Sequence, residues 1–247
     1  IGWNPFVSTQ LGRAKSLVAA IYLAAQDARA AIRFFRKDAA TSNTYRIDPY
    51  RVVLAGMQSG GMAALAANSL NRYNELLIAK LLDGGIPFID TASLGGIYGQ
   101  GGNSATNVYN HPGYSSVPQV VLNLGGAIVD TSWINATESP IVSFHGIDDI
   151  ITPYFTFTLA VSATGNPVIE VSGSHDLNAK ADAIGAQGKI TPNVPFTDAY
   201  TTVAQSRTNI KGLFPFPGAN NGYEPWSWYD PADNNIDNTT PGASGFG

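Results

Sequence analysis

Residues 55–61, Ala-Gly-Met-Gln-Ser-Gly-Gly, are the short segment of this 247-residue chain whose residue types best suit chemistry. An apolar run without alternation, Arg51 to Gly56, leads into it, and an Ala-rich stretch, Met62 to Ser69, follows it. The run is typical of a strand buried on both faces, and the Ala-rich stretch is typical of a helix. A strand, a sharp glycine turn and a helix form the arrangement that exposes one side chain for nucleophilic attack on a carbonyl group.

Two residues compete for the apex of this turn. The turn needs small residues two positions before and two after its apex, because strand and helix crowd against a strained backbone. Gly56 and Gly60 meet that need for Gln58, whose amide cannot be deprotonated to attack a carbonyl. In the alternative register Ser59 is the apex and a working nucleophile, although Met57 then places a long side chain in the tight turn. Ser59 is otherwise an ordinary hydroxyl or helix cap.

The elements around this turn predict an α/β protein with a mostly parallel sheet flanked by helices. From Arg13 to Ala40, apolar residues recur at three- and four-residue spacings, which predicts an amphipathic helix. Three further apolar runs begin at Val117, Pro140 and Pro167 and are spaced for crossover connections. We expect these runs to be the remaining strands of the sheet.

Several segments, in this order, resemble the carboxylesterase and lipase-like branch of the α/β-hydrolase superfamily, and its bacterial secreted members in particular. The resemblance is carried by residues 25–34, 47–52, 56–61 and 142–154, with 212–216 and 224–228 near the C-terminus. It covers most of residues 1 to 230 and implies an α/β-hydrolase-like fold that lacks the N-terminal strands of the full fold. It also implies a Ser-His-acid site, against which the chain can be compared.

At that site the resemblance implies a substituted nucleophile, because the position of the family's serine falls on Gln58. It places the acid at Asp149, beside Asp148, and the order of the family leaves His175 as the one histidine that follows the acid. Capping of a turn is the other interpretation of the aspartates, and a capping or surface role is the other interpretation of His175. A second alignment places Asn193 where the family has its histidine.

The resemblance also predicts a partner. In the family's sheet the strand at residues 51–56 is central and pairs with an earlier strand, which this chain lacks. An apolar edge with unpaired backbone groups invites strand addition. We therefore expect a further polypeptide segment or a subunit to cover the edge of strand 51–56.

Three functions fit these observations. The first is a non-catalytic protein that keeps the hydrolase scaffold for binding or self-assembly, and the second is an ester hydrolase that uses Ser59, His175 and Asp149 or residues outside this chain. The third is a carbohydrate- or polymer-binding surface, because aromatic faces suit sugar rings, although packing of these rings onto the core is the alternative. Its candidate residues are Tyr98, Tyr109, Tyr223, Trp226, Trp228 and Tyr229. An ester or a glycan is the expected ligand.

We predict one partial domain over residues 1–230, with a lid-like or surface loop at about 95–116 and an aromatic C-terminal appendage at about 197–230. Residues 231–247 are predicted to be a flexible tail or linker.

The composition of the chain excludes several classes of partner and site. Charged residues make up 13% of the chain, the net charge is −4 and the basic residues are scattered, so neither nucleic acid nor an anionic membrane is an expected partner. No apolar run is long enough to span a membrane. Without cysteine and without zinc-type histidine spacing, no metal or cofactor is predicted. The low charge, the absent cysteine and the sequons at Asn135 and Asn238 favour an extracellular or cell-surface location.

Overall fold

A computed structural model of the chain describes residues 2–101, 109–190 and 199–217 and shows a mixed α/β fold with a central parallel sheet flanked by helices. This confirms the predicted fold class. The helices are α1 (Gln10–Ala40), α2 (Ser59–Ser69), α3 (Thr91–Leu94), α4 (Ser174–Ala183) and α5 (Ala199–Arg207). The strands are β1 (Val53–Met57), β2 (Leu82–Asp83), β3 (Ile86–Pro87), β4 (Val120–Leu124), β5 (Ile141–Gly146), β6 (Thr156–Ala160), β7 (Pro167–Ser172) and β8 (Leu213–Phe216).

The central sheet has the order β1-β4-β5-β8, and its neighbouring strands pair in parallel. The strands predicted from Arg51, Val117 and Pro140 are its first three members. The run from Pro167 forms the predicted strand, β7, but its expected place in the parallel sheet was wrong, because β7 pairs antiparallel with β6 in a separate two-stranded sheet. An apolar run does not by itself specify its pairing partner.

The fourth strand of the sheet is β8, in the segment that the sequence analysis assigned to an aromatic appendage. It contains Pro215, which lacks a backbone N–H and so argues against a central strand when only the sequence is read. The position of β8 at the end of the strand order resolves this, because an edge strand tolerates proline.

Helix α1 begins where the Thr9 side chain accepts a hydrogen bond from the Gly12 backbone N–H. Its apolar stripe packs on α2 and β7, as the spacing of its apolar residues predicts. Its second half carries three arginines, Arg29, Arg33 and Arg36, and all three are buried. They donate chiefly to backbone carbonyl groups of the segments that follow α1 in the chain.

Arg29 is the most deeply placed of these arginines, with 1% of its surface exposed. It donates to the carbonyl oxygens of Ala66, Ala67 and Leu70 at the C-terminal end of α2, and to that of Ile97. Burial lowers its pKa to about 10, and the guanidinium stays charged at neutral pH. The end of α2 therefore has its carbonyl groups capped by a cation from α1.

No helix of the described residues is both long enough and apolar enough to cross a bilayer.

Candidate functional site

The turn between β1 and α2 has its strained residue at Gln58, whose φ and ψ are 51° and −116°. Side chains other than glycine rarely adopt a positive φ. A Cβ atom at Gly56 would lie 2.1 Å from the carbonyl oxygen of Gly60, so the strand needs glycine at this position. The second close approach is at Gly61, where a Cβ would lie 2.5 Å from Asn123 Oδ1, whereas Gly60 has open space. Gln58 thus occupies the apex.

The Gln58 amide is hydrogen-bonded at both ends. Its Nε2 donates to Asp149 Oδ2 at 2.9 Å, and its Oε1 accepts from Thr152 Oγ1 at 2.5 Å. Asp149 follows β5, and its other oxygen accepts from the backbone N–H groups of Ile151 and Thr152 at 2.7 and 2.9 Å. The structure therefore brings together the two predicted residues Gln58 and Asp149. Their contact is direct, amide to carboxylate, with no imidazole between them.

His145, at the end of β5, extends this contact inward. Its side chain is fully buried, with Nε2 at 3.0 Å from the Thr152 carbonyl oxygen and 3.3 Å from Asp149 Oδ2. Its Nδ1 lies 2.6 Å from Ser174 Oγ. The two oxygens beside Nε2 can only accept, so Nε2 carries a proton. Ser174, His145 and Asp149 have the residue types of a catalytic triad, but the Ser174 side chain is inaccessible to a substrate, with 0% exposed.

The innermost part of the network is Asn123, on β4. Its Nδ2 donates to Ser174 Oγ at 3.0 Å and to Ser143 Oγ at 3.1 Å, and its Oδ1 accepts from the Gly126 backbone N–H. The hydrogen bonds of Asn123 with Ser143 and Ser174 were not predicted from the sequence. Their signal was the presence of Asn123, Ser143 and His145 within otherwise apolar parallel strands, where buried polar groups need partners.

None of the described side-chain contacts of His175 is with Gln58 or Ser59. It is the second residue of α4; its Nδ1 is 2.8 Å from Asp176 Oδ1, and its ring packs on Tyr154 and Phe155. Burial raises the pKa of Asp176, but hydrogen bonds from Thr156 and His175 outweigh it and hold that pKa below its ordinary value. Within the described residues, no hydrogen bond joins His175 to Ser59 or Asp149.

A cavity of about 680 Å³ adjoins the apex. Ser59, the first residue of α2, lines it together with Gln58 and Thr152. The rest of its wall comes from the N-terminal segment, α1, α2, the loop after β5, and the end of β6 with the residues that follow it.

The aromatic candidates divide into two groups. The Arg29 guanidinium lies 5.0 Å from the centre of the Tyr98 ring, and that of Arg33 lies 4.8 Å from the centre of the Tyr109 ring. Both rings thus stack against buried cations. Tyr223, Trp226, Trp228 and Tyr229 lie outside the described residues, as do Asn193 and residues 231–247. In the described part of the chain, no group of three or more His, Asp or Glu side chains is placed to hold a metal ion.

Chemically, the apex can hold its neighbours in place and can line a cavity, but an amide offers no nucleophile. The described part of the chain supplies a carboxylate next to it and a buried imidazole behind that carboxylate.

No protein-family model matches this chain, and no curated protein matches it. Among solved structures it is similar to a truncated form of a carbohydrate esterase from gut microbiota, with 21% identity and a TM-score of 0.38 over 66% of this chain and 56% of that one. It is also similar to a bifunctional GH43-CE protein of Bacteroides eggerthii, with 18% identity and a TM-score of 0.45 over 80% of this chain and 22% of that one. A third is Thermogutta terrifontis esterase 2 phosphoramylated by tabun, with 18% identity and a TM-score of 0.37 over 80% of this chain and 55% of that one. The chain therefore spans little more than half, or less, of the structures that it resembles.

Proposed function

We propose that this chain is a non-catalytic, extracellular or cell-surface protein of esterase lineage with an α/β-hydrolase-like fold, and that it acts by binding a ligand beside Gln58. The observation that carries the proposal is the hydrogen-bonded amide at the strained apex. In a nucleophile elbow, the strained turn positions a hydroxyl group for attack on a carbonyl carbon. Here the same backbone conformation supports a side chain that contacts Asp149 and Thr152.

The placement of the histidines is the second argument for a binding role. General base catalysis needs an imidazole within hydrogen-bond reach of the nucleophile. Of the histidines near the site, His145 is buried behind Asp149, and His175 contacts Asp176 and two aromatic rings. No described hydrogen bond joins either imidazole to Ser59, and this supports the proposal, because a serine nucleophile requires such a base.

The competing function is ester hydrolysis through Ser59, His175 and Asp149 or through residues outside this chain. Short-chain p-nitrophenyl esters and a fluorophosphonate probe would test it, with Ser59→Ala as the matched control. We expect no turnover above that of the control and no labelled serine. Turnover that disappears in Ser59→Ala, together with a probe adduct on Ser59, would refute the non-catalytic function.

We also propose that a further polypeptide segment, from a longer form of the chain or from another subunit, pairs with β1. Within the described residues, β1 ends the strand order and has β4 as its paired neighbour. Val53 and Met57 on this strand are 56% and 42% exposed, which is unusual for an apolar strand in a parallel sheet. Hydrogen exchange of the protein as isolated from its source tests this: we expect β1 amides to exchange as slowly as those of β5. Fast exchange of β1 in a stable monomer would contradict the proposal.

A further inference from the structure

The walls of the cavity beside Gln58 are predominantly apolar. Nine of its lining residues have large apolar side chains or a proline ring: Trp3, Pro5, Phe6, Leu17, Met62, Ile150, Ile151, Leu159 and Val161. Its volume of about 680 Å³ lies in the range of small-molecule sites. A ligand that fills it must present mostly apolar surface to these walls.

The charges around the cavity further restrict the class of ligand that it can bind. None of the described residues that line the cavity is Lys, Arg, Asp or Glu. The Asp149 carboxylate lies 2.9 Å from Gln58 Nε2, just behind the polar end of the wall. An anion placed here would be desolvated without a cationic partner and would meet this carboxylate at close range.

Polar partners are also few. Among the described residues of the wall, hydroxyl groups belong to Ser59, Thr152 and Ser162, and that of Thr152 already donates to Gln58 Oε1. A sugar ring carries several hydroxyl groups that each need a partner when buried. The described part of the wall offers few groups to satisfy them, which favours an apolar ligand over a glycan.

From these three observations we propose that the cavity binds an uncharged, mainly apolar small molecule. This inference rests on the proposed non-catalytic binding function and specifies its ligand class. It also separates the two expected ligands, since the acyl part of an ester suits the walls and a glycan does not.

Two fluorescent probes that differ by one sulfonate group test the inference. N-phenyl-1-naphthylamine is neutral and apolar, and 1-anilinonaphthalene-8-sulfonate is its anionic counterpart. We expect the neutral probe to bind with saturable fluorescence enhancement and the anionic probe to bind at least tenfold more weakly. Xylobiose and xylotetraose at millimolar concentration should not displace the neutral probe.

A matched pair of variants locates the binding. Ala160 lines the cavity at the end of β6, so Ala160→Trp should fill part of it and weaken binding of the neutral probe at least tenfold. Ala31 lies on the exposed surface of α1 and does not line the cavity, so Ala31→Trp should change binding less than twofold. Circular dichroism of both variants verifies the fold.

The outcomes distinguish the two proposals. Absence of neutral-probe binding, equal binding of the anionic probe, displacement by a xylo-oligosaccharide, or equal effects of the two tryptophan variants would each overturn the ligand class. Ester turnover that requires Ser59, with the selectivity for the neutral probe intact, would instead refute the non-catalytic function and keep the ligand class.

Discussion

Replacing Glu138 by Gln should remove a pH dependence of stability that this buried carboxyl group imposes. Glu138 is 6% exposed, and its Oε1 accepts from the side-chain amides of Asn71 and Asn135. Among the described residues its Oε2 makes no hydrogen bond of normal geometry, although the buried Ser69 hydroxyl lies close enough to the carboxyl group to lower its pKa. Burial raises the pKa of Glu138 to about 8; the nearby charge of Glu75 raises it too, and nearby hydrogen-bonding groups lower it only in part.

The direction of the effect follows from proton binding. The folded protein keeps the Glu138 proton up to a pKa of about 8, whereas the unfolded chain releases it above the ordinary value of 4.5. Between these values the folded state binds more protons, so its free energy of unfolding falls as the pH rises. The slope is about 1.4 kcal/mol per pH unit, which gives a loss of about 3 kcal/mol from pH 5.5 to pH 7.5.

Urea unfolding followed by circular dichroism at these two pH values measures the effect. Glu170→Gln is the matched control, because this glutamate is exposed on β7. We expect the wild type and Glu170→Gln to lose about 3 kcal/mol more than Glu138→Gln over this interval. If all three proteins show the same change in unfolding free energy, Glu138 is not protonated in the folded state and the reasoning is wrong.

Three other substitutions test the site. Gly56→Ala should lower the free energy of unfolding by at least about 3 kcal/mol or prevent folding, because its Cβ would lie 2.1 Å from the Gly60 carbonyl oxygen. In the same urea titration, the control Gly60→Ala should have a free energy of unfolding within about 1 kcal/mol of that of the wild type. Arg29→Met should lower the free energy of unfolding by about 2–4 kcal/mol, because four carbonyl oxygens lose a charged donor; a loss below about 1 kcal/mol would contradict its capping role. Gln58→Ser should produce no esterase with p-nitrophenyl acetate, because no imidazole reaches the apex; measurable turnover would show that a base is present.

Much of the site's framework could be predicted because its determinants are local. The period of the apolar residues in α1 and the buried run of β1 identify their elements without knowledge of the rest of the chain. The turn is also determined locally, because the glycine that its sterics require, Gly56, lies close to Gln58 in the sequence. Even so, the second steric requirement falls on Gly61 and Asn123, which are far apart in sequence, and the sequence analysis assigned it to Gly60.

The partners of the predicted residues could not be read from the sequence. Asp149 was expected to pair with His175, but its Oδ2 accepts from Gln58 Nε2 and lies 3.3 Å from His145 Nε2. His175 was placed by order along the chain, but order does not fix which way the first turn of α4 points its side chain. Charged residues are rarely buried, so the sequence did not predict the burial of Arg29, which depends on backbone carbonyl groups of distant segments.

The sequence by itself determined the α/β class, the long first helix and the amide at position 58 in a glycine turn. Each of these depends on the helix period, the burial of a strand or the absence of a Cβ, and these act over a few neighbouring residues. The tertiary structure alone decided that β8 rather than β7 completes the sheet, that His145 is buried behind Asp149, and that an apolar cavity adjoins Gln58. Those features depend on which surfaces meet across long stretches of chain, and such pairings are selected by the packing of the whole domain.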